Sequence, residues 1–166
     1  MNERLDNSRK NPLQLLVQHV PVPWVFVLTY LCGVGLEYGL PLIHPALESL
    51  SAVKVVGGGL FIAGAALAGW GWLTFRRVRT TTVPGQASSR LVTWGPYRFS
   101  RNPMYTGLSV AYVGEAGMLA QVWPLLLLPL VVAYLNWMVI PVEERKLEED
   151  FGGVYDQYRR QVRRWV

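Results

Sequence analysis

Four apolar stretches, none holding more than one Asp, Glu, Lys or Arg, constrain this chain more than any other feature. They run from about Val22 to Ile43, Ala52 to Phe75, Pro103 to Ala120 and Val122 to Val142. About 20 apolar residues suffice to cross about 30 Å of hydrocarbon as a helix. No water is available there to bond the backbone, so each stretch must satisfy its own N–H and C=O groups by coiling. Gln121 alone separates the last two, which predicts a tight helical hairpin. The expected fold is all-α: a polytopic membrane helix bundle of about four transmembrane helices, with a cytosolic loop and a C-terminal amphipathic helical tail over 143–166, in one domain spanning 1–166. Only 16% of the residues are charged, against about a quarter in soluble domains. Three spans, with the last two stretches forming a re-entrant pair, is the alternative count.

Charge sets the orientation. With four spans, the N-terminus, the 76–102 loop and the tail share one side, and every one of the 16 Lys and Arg residues except Lys54 lies there. Basic flanks stay in the cytosol, so both termini are expected to be cytosolic. The absence of an organelle signal suggests a prokaryotic plasma membrane. The net charge of +5 sits beside apolar stretches, which points to anionic lipid headgroups of the bilayer as partner and to no nucleic acid. Cys32 is the single cysteine and lies inside the first stretch, so neither a disulfide nor a cysteine metal site can form within one chain. No metal is expected. Met1 to Gln18 lacks the basic-then-apolar order of a signal peptide. His19 and His44 flank the first span on opposite sides and read as non-catalytic.

Thr80, Thr81, Thr82, Pro84, Gly85, Ser88 and Ser89 predict irregular backbone in the 76–102 loop. The tail begins as a helix at Glu143, breaks at Gly152-Gly153 and resumes. There Val154, Tyr158, Val162 and Trp165 fall at i, i+4, i+8 and i+11, with Arg159, Arg160, Arg163 and Arg164 on the remaining surface. That pattern predicts a basic amphipathic helix lying on the membrane.

Three polar segments converge on the cytosolic helix ends: Gly69-Trp70-Gly71, the run from Gly95 to Gly107, and Glu143-Glu144. Arg98 and Arg101 can bind a carboxylate or phosphate, and the two glutamates can hold an ammonium. A zwitterionic ligand fits between them. Pro103 is pre-organised to start a helix whose N-terminal end favours anions. Gly69, Gly71 and Gly107 permit close approach of a ligand or of a neighbouring helix, and Gly57-Gly58-Gly59 and Gly64 can pack within or between chains. Tyr97 and Tyr105 fit an interfacial aromatic belt as well as a site.

The run GPYRFSRNPMYTG, followed across one span by EERKLEEDFGGVYDQYRRQV, resembles the isoprenylcysteine carboxyl methyltransferase and phospholipid methyltransferase superfamily of integral membrane enzymes. The resemblance covers roughly residues 60–166. Asn102 stands where many members carry His, a variant that the phospholipid branch uses. The resemblance implies S-adenosyl-L-methionine as cofactor, bound from the cytosol, and a lipophilic or small-molecule methyl acceptor. It implies that Arg98, Arg101, Asn102, Pro103, Tyr105 and Gly107, with Tyr97, belong to the segment leading into the cofactor pocket. Glu143 and Glu144 match the paired glutamates, one of which holds the cofactor's amino group. Tyr155 and Tyr158 match tail tyrosines that close the pocket, and Gly69 and Gly71 resemble a Gly-x-Gly pair.

Catalysis would then consist mainly of alignment and exclusion of water. A carboxylate acceptor is already nucleophilic and needs only Arg98 or Arg101 to orient it; an amine or thiol needs a base. Glu115, mid-span, is the candidate base or recognition residue, because an ionisable group in a span is costly and by default functional. The same residue also reads as a buried glutamic acid bonded to a tyrosine or to backbone, and Glu37 reads more strongly so. Two other functions remain in play. Membrane sterol reductases share a Gly-Pro-Tyr-Arg and Pro-x-Tyr-x-Gly pattern and bind NADPH, but are longer and lack the glutamate pair. A non-enzymatic membrane scaffold is the other.

Overall fold

The computed structural model describes residues 21–42, 51–78 and 91–166. The readings at Met1–Gln18, His19, Ile43, His44 and Thr80–Ser89 lie outside the described residues. All regular structure among the described residues is helical: α1 (Val22–Gly39), α2 (Ser51–Val78), a 3-10 turn (Gly95–Arg98), α3 (Pro103–Met118), α4 (Trp123–Tyr134), a π-helical turn (Leu135–Val139), α5 (Ile140–Phe151) and α6 (Gly153–Gln161). Proline occupies the first or second position of α1, α3 and α4, where its missing N–H has no intrahelical partner to lose.

Three segments are long and apolar enough to cross a membrane: Val22–Gly39, Ser51–Arg77 and Trp123–Phe151. The third runs continuously through α4, the π turn and α5, so the fourth apolar stretch and the start of the tail are one rod. The π turn precedes Pro141, which cannot donate to the Trp137 carbonyl. The Ile140 N–H instead bonds Leu135, and the widened turn absorbs the missing bond. The expected span at 103–120 is the 16-residue α3, about 24 Å long at 1.5 Å per residue. It is shorter than the hydrocarbon and lies against α2 along its whole length. The hairpin to α4 is tight, as expected. Gln121 N–H bonds the Ala116 carbonyl at 2.8 Å around Ala120, which has φ 55° at a position where glycine is usual.

Helices α2 and α3 run antiparallel with their backbones in contact. A Cβ on Gly57 would strike Met118 and Gly114, and one on Gly64 would strike Ala111 and Gly107. A Cβ on Gly107 would sit 2.5 Å from Ala68 N, and one on Gly114 would strike Phe61. The glycines recur every seven residues on each helix, which keeps one glycine face on the seam. Lipid supplies no hydrophobic drive between helices, so this closeness is what holds them.

On the other side of α3, Phe26 and Tyr30 of α1 pack on Tyr112, with Ala116, Val131, Leu135, Val139 and Ile140 completing one core. Gly33 lets α1 touch Pro124. At the C-terminal end of α1, Glu37 Oε2 accepts the backbone N–H groups of Val122 and Trp123 at 3.0 and 3.1 Å, and its Oε1 accepts Leu42 N–H at 3.2 Å. It caps α4, which is the structural reading of that residue.

The tail departs from its expected course. It breaks at Gly152, with φ 50°, and α6 resumes as predicted, but α6 ends at Gln161 and Val162 is extended. The face that buries is Tyr155 and Tyr158, while Val154 is 65% exposed. The i+8 and i+11 positions therefore never join a helical stripe.

Candidate active site

The N-terminal ends of α3 and α5 meet beneath α6. Pro96 and Tyr97, in the 3-10 turn, are buried, and the backbone then turns through Ser100–Asn102 into α3. Asn102 is the N-cap of α3, yet its side chain does not cap the helix. Its Nδ2 donates to the Arg164 carbonyl at 2.9 Å instead. Because Tyr105 lies in the first turn of α3 and Glu143 in the first turn of α5, the phenol reaches the carboxylate and donates to Oε1 at 2.6 Å.

Glu144, one residue on, faces the other way round α5 and meets Arg101 Nη1 at 2.8 Å. Arg101 Nη1 also donates to the Tyr155 hydroxyl at 3.1 Å. Tyr158 donates its hydroxyl to the Tyr97 carbonyl at 2.6 Å, pinning α6 onto the 3-10 turn. Burial, followed by the charge of Glu143, pushes the Tyr97 phenol well up; burial does the same to Tyr158, against the pull of Arg101. Burial and then Glu144 raise Tyr155. All three phenols therefore stay protonated at neutral pH; Tyr158 donates, Tyr155 accepts from Arg101, and the Tyr97 hydroxyl keeps its donor free.

Four buried side-chain polar atoms have no partner among the described residues; Ser109 Oγ and Tyr112 Oη lie further along α3, and Tyr97 Oη and Arg101 Nε belong to this cluster. A buried unpaired donor costs about 1–3 kcal/mol, so each awaits an acceptor. Among the described residues Glu143 accepts from only the one phenol and keeps capacity for a donor. The cluster thus offers unmet N–H and O–H donors beside an under-used carboxylate, which suits a ligand carrying both an anionic and a cationic group.

Of the residues singled out in the sequence, Tyr97, Arg101, Asn102, Pro103, Tyr105, Glu143, Glu144, Tyr155 and Tyr158 are brought together here. Gly71 stands at the edge, its would-be Cβ 2.6 Å from Met104 Cγ and 3.5 Å from Tyr97 Oη. Four are placed elsewhere. Gly69 has nothing within 4 Å, Gly107 belongs to the α2–α3 seam, and Arg98 is exposed with its guanidinium 5.0 Å from the Phe99 ring centre. Glu115 is ten residues from Tyr105, about 15 Å along α3, and interacts electrostatically with Tyr30 and Tyr112.

Sequence reading missed the end of the chain. Arg163 and Arg164 carbonyls accept from Arg101 N–H at 2.9 Å and Ser100 Oγ at 3.3 Å. The Arg164 guanidinium holds both oxygens of Glu144, and Trp165 Nε1 donates to Asn136 Oδ1 at 2.9 Å. The only sequence signal for this strap was a cluster of arginines, which fits a solvated helix face equally well.

No curated protein matches the chain. A family model described as phospholipid methyltransferase matches residues 52–153, a stretch holding α2 and α3, the 3-10 turn between them, and both glutamates of the cluster. The protein is an integral membrane protein, and the chain belongs to the phospholipid methyltransferase family.

Proposed function

We propose that the protein transfers a methyl group from S-adenosyl-L-methionine to a lipophilic acceptor at the cytosolic face of the membrane. The observation that carries this reading is the pair of buried, partnerless donors, Tyr97 Oη and Arg101 Nε, beside the Glu143–Glu144 carboxylates. An α-amino acid end has the complementary groups. Its carboxylate suits Arg101 and Tyr97, and its ammonium suits the glutamate pair. When bound, the cofactor supplies a methyl group made transferable by a sulfonium.

The chain's own work is then positional. Tyr105 orients Glu143 through the 2.6 Å bond, Tyr155 and Glu144 fix the Arg101 fork, and Tyr158 holds α6 down as a cover against water. The basic residues around these helix ends support a cytosolic site. An acceptor held by its apolar part would approach from the bilayer between the helices. Glu115 is too far along α3 to take a proton at this cluster, and is a candidate for contact with a deeper part of the acceptor.

Calorimetry on the detergent-solubilised protein tests the reading. S-adenosyl-L-methionine binds the wild type, NADPH does not, and Arg101→Ala or Glu143→Gln reduces affinity at least about tenfold, the loss of one charge-assisted contact, with the thermal midpoint little changed. A well-folded wild type that ignores S-adenosyl-L-methionine ends the cofactor assignment.

A further inference from the structure

Glu144 is the carboxylate of the cluster with no room for a cation from outside. Its Oε1 takes Arg101 Nη1 at 2.8 Å and Arg164 Nε at 3.1 Å, and its Oε2 takes Arg164 Nη2 at 2.5 Å. The two-pronged contact is the geometry in which a guanidinium grips a carboxylate best. The two arginines differ in how firmly they are held. Arg101 has a side chain only 11% exposed and is tied to Tyr155 as well. Arg164 approaches from outside, 36% exposed, and its guanidinium has no hydrogen bond besides those to Glu144 among the described residues.

The backbone that carries Arg164 is anchored without that side chain. The Arg163 carbonyl accepts from Arg101 N–H, the Arg164 carbonyl accepts from Asn102 Nδ2 and Ser100 Oγ, and Trp165 is bonded to Asn136. The guanidinium can therefore swing off Glu144 into solvent while the strap stays in place.

We propose that Arg164 is a built-in latch on Glu144: its guanidinium occupies the carboxylate until the primary ammonium of the cofactor's amino-acid end displaces it. This rests on the cofactor reading above and adds a regulatory element to it. A latch lowers apparent affinity by the fraction of molecules in which it stands open. It also favours ligands bearing a cation, because only they can replace what they remove.

The test uses two probes and measures binding, not turnover. S-adenosylhomocysteine has the amino-acid end; methylthioadenosine shares the nucleoside and sulfur but lacks it. In calorimetry, Arg164→Ala should bind S-adenosylhomocysteine about tenfold tighter than wild type, the gain from an unlatched site. Methylthioadenosine should bind both equally, and the gain should vanish when Glu144→Gln is also present. Arg164→Gln keeps the length without the charge and should reproduce the gain if Arg164→Ala unfolds. Weaker S-adenosylhomocysteine binding in these variants would place the guanidinium on the ligand, and unchanged binding would take Glu144 out of the ligand's path. Either result overturns the latch while wild-type binding upholds the cofactor reading. No binding by wild type or any variant removes both.

Discussion

The two faces that α3 offers its neighbours are built on opposite principles. Along its length it meets α2 through Gly57, Gly64, Gly107 and Gly114, backbone against backbone. At its N-terminal end it meets α5 and the tail through Glu143, Glu144, Arg101 and three phenols. The seam is held by closeness and dispersion, which work in lipid where nothing else draws helices together. The cluster is held by charges at the helix ends, and it leaves Arg101 Nε and Tyr97 Oη unmet. Unmet groups also occur further along α3, at Ser109 Oγ and Tyr112 Oη, but only in the cluster do they stand beside paired carboxylates, which is where a ligand belongs. Substitutions in the seam should therefore destroy the fold, and substitution of the charged groups Arg101 and Glu143 in the cluster should largely spare the fold and remove binding.

The largest effect expected is from Gly64→Val. Its side chain would have to occupy the backbone of Ala111 and Gly107, and no rotamer relieves a backbone clash. The cost should reach about 3 kcal/mol, the upper end for overpacking, read as a lowered unfolding midpoint in a detergent titration. Stability like that of wild type would mean that the two helices stand further apart than the seam requires.

Next in size is Tyr158→Phe. It deletes the 2.6 Å bond to the Tyr97 carbonyl and leaves that acceptor buried and unpaired, at about 1–2 kcal/mol. Since α6 covers the cluster, amide hydrogen exchange in 153–161 should rise as well. A loss of cofactor binding with no change in exchange would mean that the hydroxyl contacts ligand directly.

The contrast also explains what could be read in advance. The spans were legible because hydropathy is a sum over twenty residues, and single errors do not move it. The convergence of Tyr105, Arg101 and the glutamate pair was legible because antiparallel spans force their cytosolic ends to one depth. The seam was legible only in part. The seven-residue glycine spacing is in the sequence, but whether it packs within or between chains depends on which face the partner helix presents. The tail was misread after Gln161, because a stripe at i, i+4, i+8 and i+11 has meaning only while the helix continues. The strap is held by backbone carbonyls of Arg163 and Arg164, and a carbonyl carries no residue signature at all.

A smaller effect separates two kinds of carboxylate. Glu37→Gln weakens a cap that serves Val122, Trp123 and Leu42, and should cost about 1 kcal/mol of stability with cofactor affinity unchanged. The reverse profile is expected of Glu143→Gln, which removes affinity and leaves stability nearly intact. Affinity lost on Glu37→Gln would tie the Glu37 end of the bundle to the Glu143–Glu144 cluster and erase the distinction between the two regions.

The smallest effect is the sharpest test of the seam's edge. Gly69 and Gly71 are two residues apart on α2, yet only Gly71 points at anything: Met104 and the unpaired Tyr97 hydroxyl. Gly71→Ala should be tolerated, because Met104 is flexible, but should shift the Tyr97 phenol and weaken cofactor binding several-fold. Gly69→Ala meets open space and gains helix propensity, so stability should be unchanged or raised by up to about 1 kcal/mol. Its effect on binding decides a separate question. If S-adenosyl-L-methionine still binds as in wild type, the Gly-x-Gly resemblance reduces to the one glycine that faces Tyr97. A several-fold loss would put ligand against the outer side of α2, where the exposed Trp70 and Trp72 would then line it.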